Sequence, residues 1–216
     1  MALAASAGWS LGVWWFGEGL GGVLTPAASP ASGAPGAAVI YALLAVVLWP
    51  SDRSAPRSAF VAGRAVGEWP ARVLWLVLWG AVAYLSAGAA TRSPQYLRDM
   101  ITQLASGEPS WVAGIDGGAA RLLAGQGAAV SIGLALAFAV IAVGIFFPAP
   151  AARGTVVVAV AVSAAIWIVG ENFGGMLTGS GTDPNSGPPL ALLAVAYWRS
   201  SAPGRVRLIP PGPRLS

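Results

Sequence analysis

Residues 14–25 read WWFGEGLGGVLT and residues 167–178 read WIVGENFGGMLT, an offset of 167 − 14 = 153. Seven of the twelve positions match: Trp, Gly, Glu, Gly, Gly, Leu and Thr. Stray glycine matches are cheap in a chain with 29 glycines among 216 residues; Trp, Glu and Thr in one register are not. The agreement resumes one residue out of step, where residues 30–35 (PASGAP) pair with residues 184–189 (PNSGPP). Self-similarity at a fixed offset is the mark of a duplicated unit.

Each copy imposes the same physics. A helix meets Gly17-Glu18 or Gly170-Glu171, then Gly21-Gly22 or Gly174-Gly175. Glycines weaken a helix and let another backbone approach. Thr25 or Thr178 follows, then a Pro/Ser/Gly loop with no regular pattern. The next helix restarts at Pro35 or at Pro188-Pro189, a favoured first position. Its strongly apolar part, residues 37–49 or 190–198, is short. About 13 residues rise only ~20 Å against an apolar bilayer core of ~30 Å. Both Gly-Glu loops are therefore expected to dip into the outer half of a membrane.

Working outward, six apolar segments are predicted to span: residues 4–24, 33–49, 73–90, 127–147, 155–176 and 187–198. Hydrophobic residues make up 56% of the chain and charged ones 9%, with a mean hydropathy of +0.70. Soluble domains are about 25% charged. This composition excludes a soluble globular domain and a disordered chain. The basic residues are all Arg, twelve against eight acids, and they are too scattered to grip nucleic acid.

Arg53, Arg57, Arg64, Arg72, Arg153, Arg199, Arg205, Arg207 and Arg214 fall on one side of the six-segment layout. Arg92, Arg98 and Arg121 fall on the other, beside Asp99, Glu108, Asp116 and Asp183. Positive-inside logic makes the first side cytoplasmic, with both termini there. The first segment has no basic stretch before it and Glu18 within it, so a cleaved leader is not expected. Trp9, Trp49, Trp69, Trp111 and Trp198 sit at segment ends as an aromatic belt would; Trp14, Trp75, Trp79 and Trp167 lie deeper.

The expected fold is an all-α integral membrane protein: a six-transmembrane-helix bundle with two pseudo-symmetric helix–loop–helix repeats, parallel to each other. Residues 1–49 form the first unit and 154–198 the second. Residues 50–72 are a cytoplasmic loop along the headgroups. Residues 73–147 are a central pair of spans with an outer loop at 91–126, and 199–216 a Pro/Arg tail. Within the outer loop, Ser93-Pro94 reads as a helix start. Tyr96, Leu97, Met100, Ile101 and Leu104 recur at helical spacing, and a second short helix is placed near residues 119–124.

Glu18 and Glu171 are the candidate ligand-binding residues. An acid within a membrane is expensive and tends to be functional. They could hold a cation, a proton or a polar solute. The competing reading leaves each at the outer interface, accepting N–H bonds from its own loop. Asp183 is a third acid or a turn residue. Asn172 replaces Gly19 and biases the site to one half. Thr25 and Thr178 donate to a ligand or cap their own helix ends. Gly17, Gly21, Gly22, Gly170, Gly174 and Gly175 are packing positions.

His and Cys are both absent. No metal-ligand cluster, cofactor motif or catalytic set is legible, so no cofactor or metal is expected. Small-solute or ion transport through a channel-like site is the leading expectation, in a bacterial inner membrane. A non-catalytic subunit or assembly factor of a larger membrane complex is the alternative, and a lipid-modifying enzyme the third. The partners implied are the lipid bilayer and a second copy or a larger complex, not nucleic acid.

Overall fold

The computed structural model describes residues 1–26, 28–50, 58–89, 93–179, 181 and 183–200. The expectations placed on Arg53, Arg57, Arg92, Arg205, Arg207, Arg214 and the tail 201–216 lie outside these residues. The described residues are helical and contain no strand. In chain order the α-helices are α1 (Ala2–Gly12), α2 (Ala37–Val47), α3 (Val61–Val66), α4 (Glu68–Ala89) and α5 (Tyr96–Leu104). There follow α6 (Ser110–Leu123), α7 (Gly127–Gly144), α8 (Ala149–Ala165) and α9 (Gly187–Val195). Both α1 and α8 run on into a wider π-type turn, Val13–Gly17 and Ile166–Gly170.

Among the described residues, three helices are long and apolar enough to cross a membrane: Glu68–Ala89, Gly127–Gly144 and Ala149–Gly170. The remaining predicted segments form shorter helices. The first was expected to run to Leu24 but stops at Gly17, and the fifth begins at Ala149 and stops at Gly170 rather than Met176. Both end for one reason. The residues that follow adopt left-handed backbone angles, which cannot extend a right-handed helix.

The centre of the bundle is the pairing of α4 with α7. Trp75, Trp79 and Val82 face Phe138, Ile141 and Ile145, all 1% exposed or less. Trp75 Nε1 donates to the Ile141 carbonyl at 2.8 Å, and the Trp79 and Phe138 rings lie 5.8 Å apart. The helix α4 starts five residues before the predicted span. Glu68 stands in its first turn, where an acid suits the helix dipole, and Gly67 turns the chain at φ 91°. The hairpin from α7 to α8 is closed by Gly144, which leaves no room for a Cβ beside Thr155.

Residues 58–66 pack against the end of the bundle. Phe60 is buried and stacks on Tyr197 at 5.5 Å, and the Ala62 N–H donates to the Ala196 carbonyl. Tyr197 in turn donates to the Ala71 carbonyl at 2.8 Å. At this same end Arg153 Nε donates to the Arg199 carbonyl and Arg199 Nη1 to the Phe147 carbonyl.

Residues 93–126 are more regular than their sequence suggests. The helix α5 starts at Tyr96, two residues after Pro94, with Leu97 and Ile101 buried. The helix α6 covers Ser110–Leu123 rather than 119–124. Its Gly114, Gly117 and Gly118 argue locally against a helix. Packing of Val112, Asp116 and Ala120, one face at i, i+4 and i+8, overrides them.

Candidate functional site

The two Gly-Glu segments take the same backbone path. The Glu18 N–H donates to the Val13 carbonyl at 2.9 Å, and the Glu171 N–H to the Ile166 carbonyl at 2.9 Å. These are i→i+5 bonds, and 166 − 13 = 153 again. Four left-handed residues then follow in each segment. In the first they are Gly19, Leu20, Gly21 and Gly22, at φ 54°, 61°, 62° and 68°. In the second they are Asn172, Phe173, Gly174 and Gly175, at φ 47°, 55°, 68° and 67°. Each left-handed non-glycine residue costs roughly 1–2 kcal/mol, so the surrounding structure must hold Leu20, Asn172 and Phe173 in place.

Room as well as angle demands glycine at two of these positions. A Cβ on Gly21 would run into the Pro35 carbonyl, and one on Gly174 would stand 2.8 Å from the Asp183 carbonyl oxygen. Each turn is thus pressed on the backbone that leads to the returning helix. Gly17 has open space beside it except for Val13, and Gly22 nearly so. Gly170 does not: its Cβ would stand 2.9 Å from the Ala31 carbonyl oxygen. There the second turn touches the first loop. The loops also meet at Gly33, where a Cβ would be 3.1 Å from Asn185 Oδ1.

The carboxylates cap the returning helices. Glu18 Oε1 accepts the Ala38 N–H at 3.0 Å, in the first turn of α2. Glu171 Oε1 accepts both the N–H and the hydroxyl of Ser186, and Oε2 accepts the Gly187 N–H at 2.9 Å. Each acid satisfies N–H groups that a helix start leaves without partners. The acids differ in enclosure. Glu171 is 4% exposed with both oxygens bonded, whereas Glu18 is half-buried and its enclosed Oε2 has no partner. Trp14 Nε1 adds a bond to the Pro35 carbonyl at 2.8 Å. Trp167 Nε1 is buried and unpartnered.

The other candidates are placed as follows. Asp183 is exposed and its Oδ1 accepts the Asn185 N–H at 2.7 Å, an Asx turn, while its charge reaches both Glu18 and Glu171. Thr25 and Thr178 are exposed, and each hydroxyl donates 2.8 Å to the carbonyl three residues before it, Gly22 or Gly175. Asn172 is 2% exposed and Nδ2 donates to the Leu104 carbonyl at 3.0 Å, tying the turn to the end of α5. Its neighbour Phe173 lies against Trp167 and Trp111.

Two expectations need correction. The first returning helix restarts at Ala37, behind Gly36 at φ 100°, not at Pro35, whereas the second starts at Gly187 with Pro188 in its first turn, as expected. Nor are the two Pro/Ser/Gly stretches equivalent in the structure. Residues 30–32 form a 3₁₀ turn capped by Ser29, whereas residues 184–186 lead directly into α9. The helix starts differ by 187 − 37 = 150, not by 154. Proline, serine and glycine recur in any tight loop, so their match carries composition and not register. Sequence reasoning missed Ser186, which serves as both backbone and hydroxyl donor to Glu171; its place before Gly-Pro-Pro was the available signal.

Two hollows flank the turns. One of about 270 Å³ lies under α5 and is lined by Leu97, Ile101, Val130, Val162 and Val169. The other, about 480 Å³, is lined by Trp14, Val23, Val39, Leu78 and Tyr84. Both are apolar. No family model, no curated protein and no solved structure matches the chain.

Proposed function

We propose that the chain is a multi-pass protein of a bacterial inner membrane that moves a small solute or ion through a site at its paired Gly-Glu turns. In this reading six segments cross, both termini are cytoplasmic, and residues 1–49 and 154–198 are parallel, pseudo-symmetric units. Arg153 and Arg199 meet at one end of the bundle, beside α3 with Arg64, which supports the orientation. Interrupted segments at corresponding places in two halves are a recurrent feature of transporter sites.

One observation carries the reading: the two helices break identically, yet only Glu18 keeps an enclosed oxygen with no partner. Glu171, closed by three donors, is the fixed half. Glu18 is the working half. A proton or cation taken up on Glu18 weakens its hold on the Ala38 N–H, and so couples occupancy to the start of α2. The test is proton flux into proteoliposomes loaded with a pH-sensitive dye, with the wild-type chain, Glu18→Gln and Glu171→Gln. Flux that Glu18→Gln abolishes in a chain still folded supports the reading. A wild-type chain that carries neither protons nor sodium, or a Glu18→Gln chain with unchanged flux, overturns it.

The second reading, a subunit or assembly factor, draws on α1. Ser10 is its one buried residue, and Trp9, Trp15 and Phe16 at its side and end are exposed. A partner helix or lipid must cover them. Stoichiometric retention of a second protein through gentle purification distinguishes this reading from the first.

A further inference from the structure

We infer that the solute of the Gly-Glu site is a lipophilic ammonium ion, a compact apolar body with one protonated amine, seated in the hollow beside Trp14; this rests on the transport reading and names its substrate class. The hollow holds about 480 Å³, within the roughly 300–1,000 Å³ of small-molecule pockets. Val77, Ala81 and Tyr84 line it from one face of α4, at i, i+4 and i+7. Val39 lines it from α2, and Trp14 from the first Gly-Glu segment. Such a lining suits hydrocarbon.

The charge requirement comes from the acid that shares Trp14 with the hollow. Glu18 Oε2 is enclosed and has no hydrogen-bond partner. A Cβ on Gly36 would collide with that oxygen and stand 3.2 Å from Trp14 Cδ1, so the free oxygen and the indole meet at one glycine. Trp14 Nε1 is engaged by the Pro35 carbonyl at 2.8 Å, which holds the ring where it touches both. An ammonium settled on that ring gains from the negative face of the indole. It gains again from the nearby carboxylate, because opposite charges attract strongly where water is scarce. A neutral solute of the same shape gains neither, and an anion is repelled. The second segment fills the matching place. Phe173 stands edge-on to Trp167 at 5.2 Å, where the first segment has Leu20, and a Cβ on Gly187 would strike Trp167. Both oxygens of Glu171 are already bonded.

The experiment is equilibrium dialysis of the full chain in detergent against radiolabelled 1-adamantylammonium, with 1-adamantanol as the neutral probe of the same cage and empty micelles as the blank. The expected result is saturable binding of the ammonium, about tenfold or more tighter than that of the alcohol, since one contact to a charged group is worth about that much. Glu18→Gln should weaken the ammonium about tenfold and leave the alcohol unchanged. Ala81→Phe fills the hollow from an exposed position of α4 and should abolish binding of both probes. If Glu18→Gln fails to fold, Ala81→Phe and the comparison of the two probes carry the test. A wild-type chain that binds no ammonium saturably, or binds the alcohol as tightly, overturns the inference; so does ammonium affinity unchanged in Ala81→Phe or in Glu18→Gln. Proton flux that depends on Glu18 in a chain that binds no ammonium keeps the transport reading and sinks this inference alone. Ammonium binding that depends on Glu18 in a chain without flux supports the site and sinks the transport reading.

Discussion

Glu171 accepts the Gly187 N–H at 2.9 Å while the same carboxylate holds Ser186 through its N–H and hydroxyl. One buried side chain thus fastens the end of the α8 turn to the start of α9. Hydrogen bonds to a charged acceptor contribute about 1.5–3 kcal/mol each, and a lost partner leaves buried donors unpaired. Glu171→Gln places an amide nitrogen against at least one of those donors. It is expected to lower stability by about 2–4 kcal/mol. Glu18→Gln disturbs a single cap bond at a half-buried side chain and should cost about 1 kcal/mol. Unfolding of both variants in mixed micelles, followed by helical circular dichroism, gives the order. Equal losses, or a larger loss for Glu18→Gln, would show that the caps are not what holds the two turns.

The glycines give a second, sharper comparison. Gly19, Gly21 and Gly174 all have left-handed angles, but only Gly21 and Gly174 are also pressed on a backbone carbonyl. Gly19→Ala meets open space and should cost about 1–2 kcal/mol from the angle alone. Gly21→Ala and Gly174→Ala add a steric collision that neither carbonyl can avoid without moving the loop. Both should fail to yield a monodisperse chain under conditions where Gly19→Ala purifies. Size-exclusion profiles of the three variants decide it.

The turns themselves were legible because everything that builds them is local. Glycine at 21, 22, 174 and 175, the acids at 18 and 171, and Thr25 and Thr178 lie within one short stretch, and each bonds or bends within it. The partner of each acid was not legible. Ala38 is 20 residues from Glu18 and Gly187 is 16 from Glu171, and nothing in the intervening loops encodes which N–H arrives. The matched Pro/Ser/Gly stretches pointed to the wrong register for that reason. The spans at 73–90 and 127–147 were clear from continuous apolar sequence, and α4 and α7 answer to them. The helix α6 was half hidden, because Gly114, Gly117 and Gly118 conceal a face that only tertiary packing rewards.

Trp75 links the two central helices through a specific bond as well as through area. Its Nε1 reaches the Ile141 carbonyl at 2.8 Å, and its ring lies 4.7 Å from that of Tyr197. Trp75→Phe keeps an aromatic ring but loses the donor and leaves a void. Where helices associate within lipid, burial from water contributes little and packing decides. A loss of about 1–3 kcal/mol is expected, the sum of one hydrogen bond and a modest cavity. Trp79→Phe is the control, since the Trp79 Nε1 is buried with no partner and its removal costs no bond. A Trp79→Phe chain less stable than Trp75→Phe contradicts this account.

Asn172 joins the second turn to α5 and α6, and the first turn has glycine at the matching place. Its Nδ2 bond to the Leu104 carbonyl at 3.0 Å holds the end of α5, and Phe173 beside it is flanked by Trp111 of α6. Asn172→Gly copies the first segment. It relieves a left-handed residue at φ 47°, which favours the variant by up to about 1–2 kcal/mol. It also removes the tether, which disfavours it by about 1 kcal/mol. Global stability is therefore expected to change little, while the cap loosens locally. Hydrogen exchange should speed up across residues 96–123 and stay unchanged in α4 and α7. Uniform exchange throughout the chain, or faster exchange confined to α8, would mean that α5 and α6 are held by their apolar faces and not by this side chain.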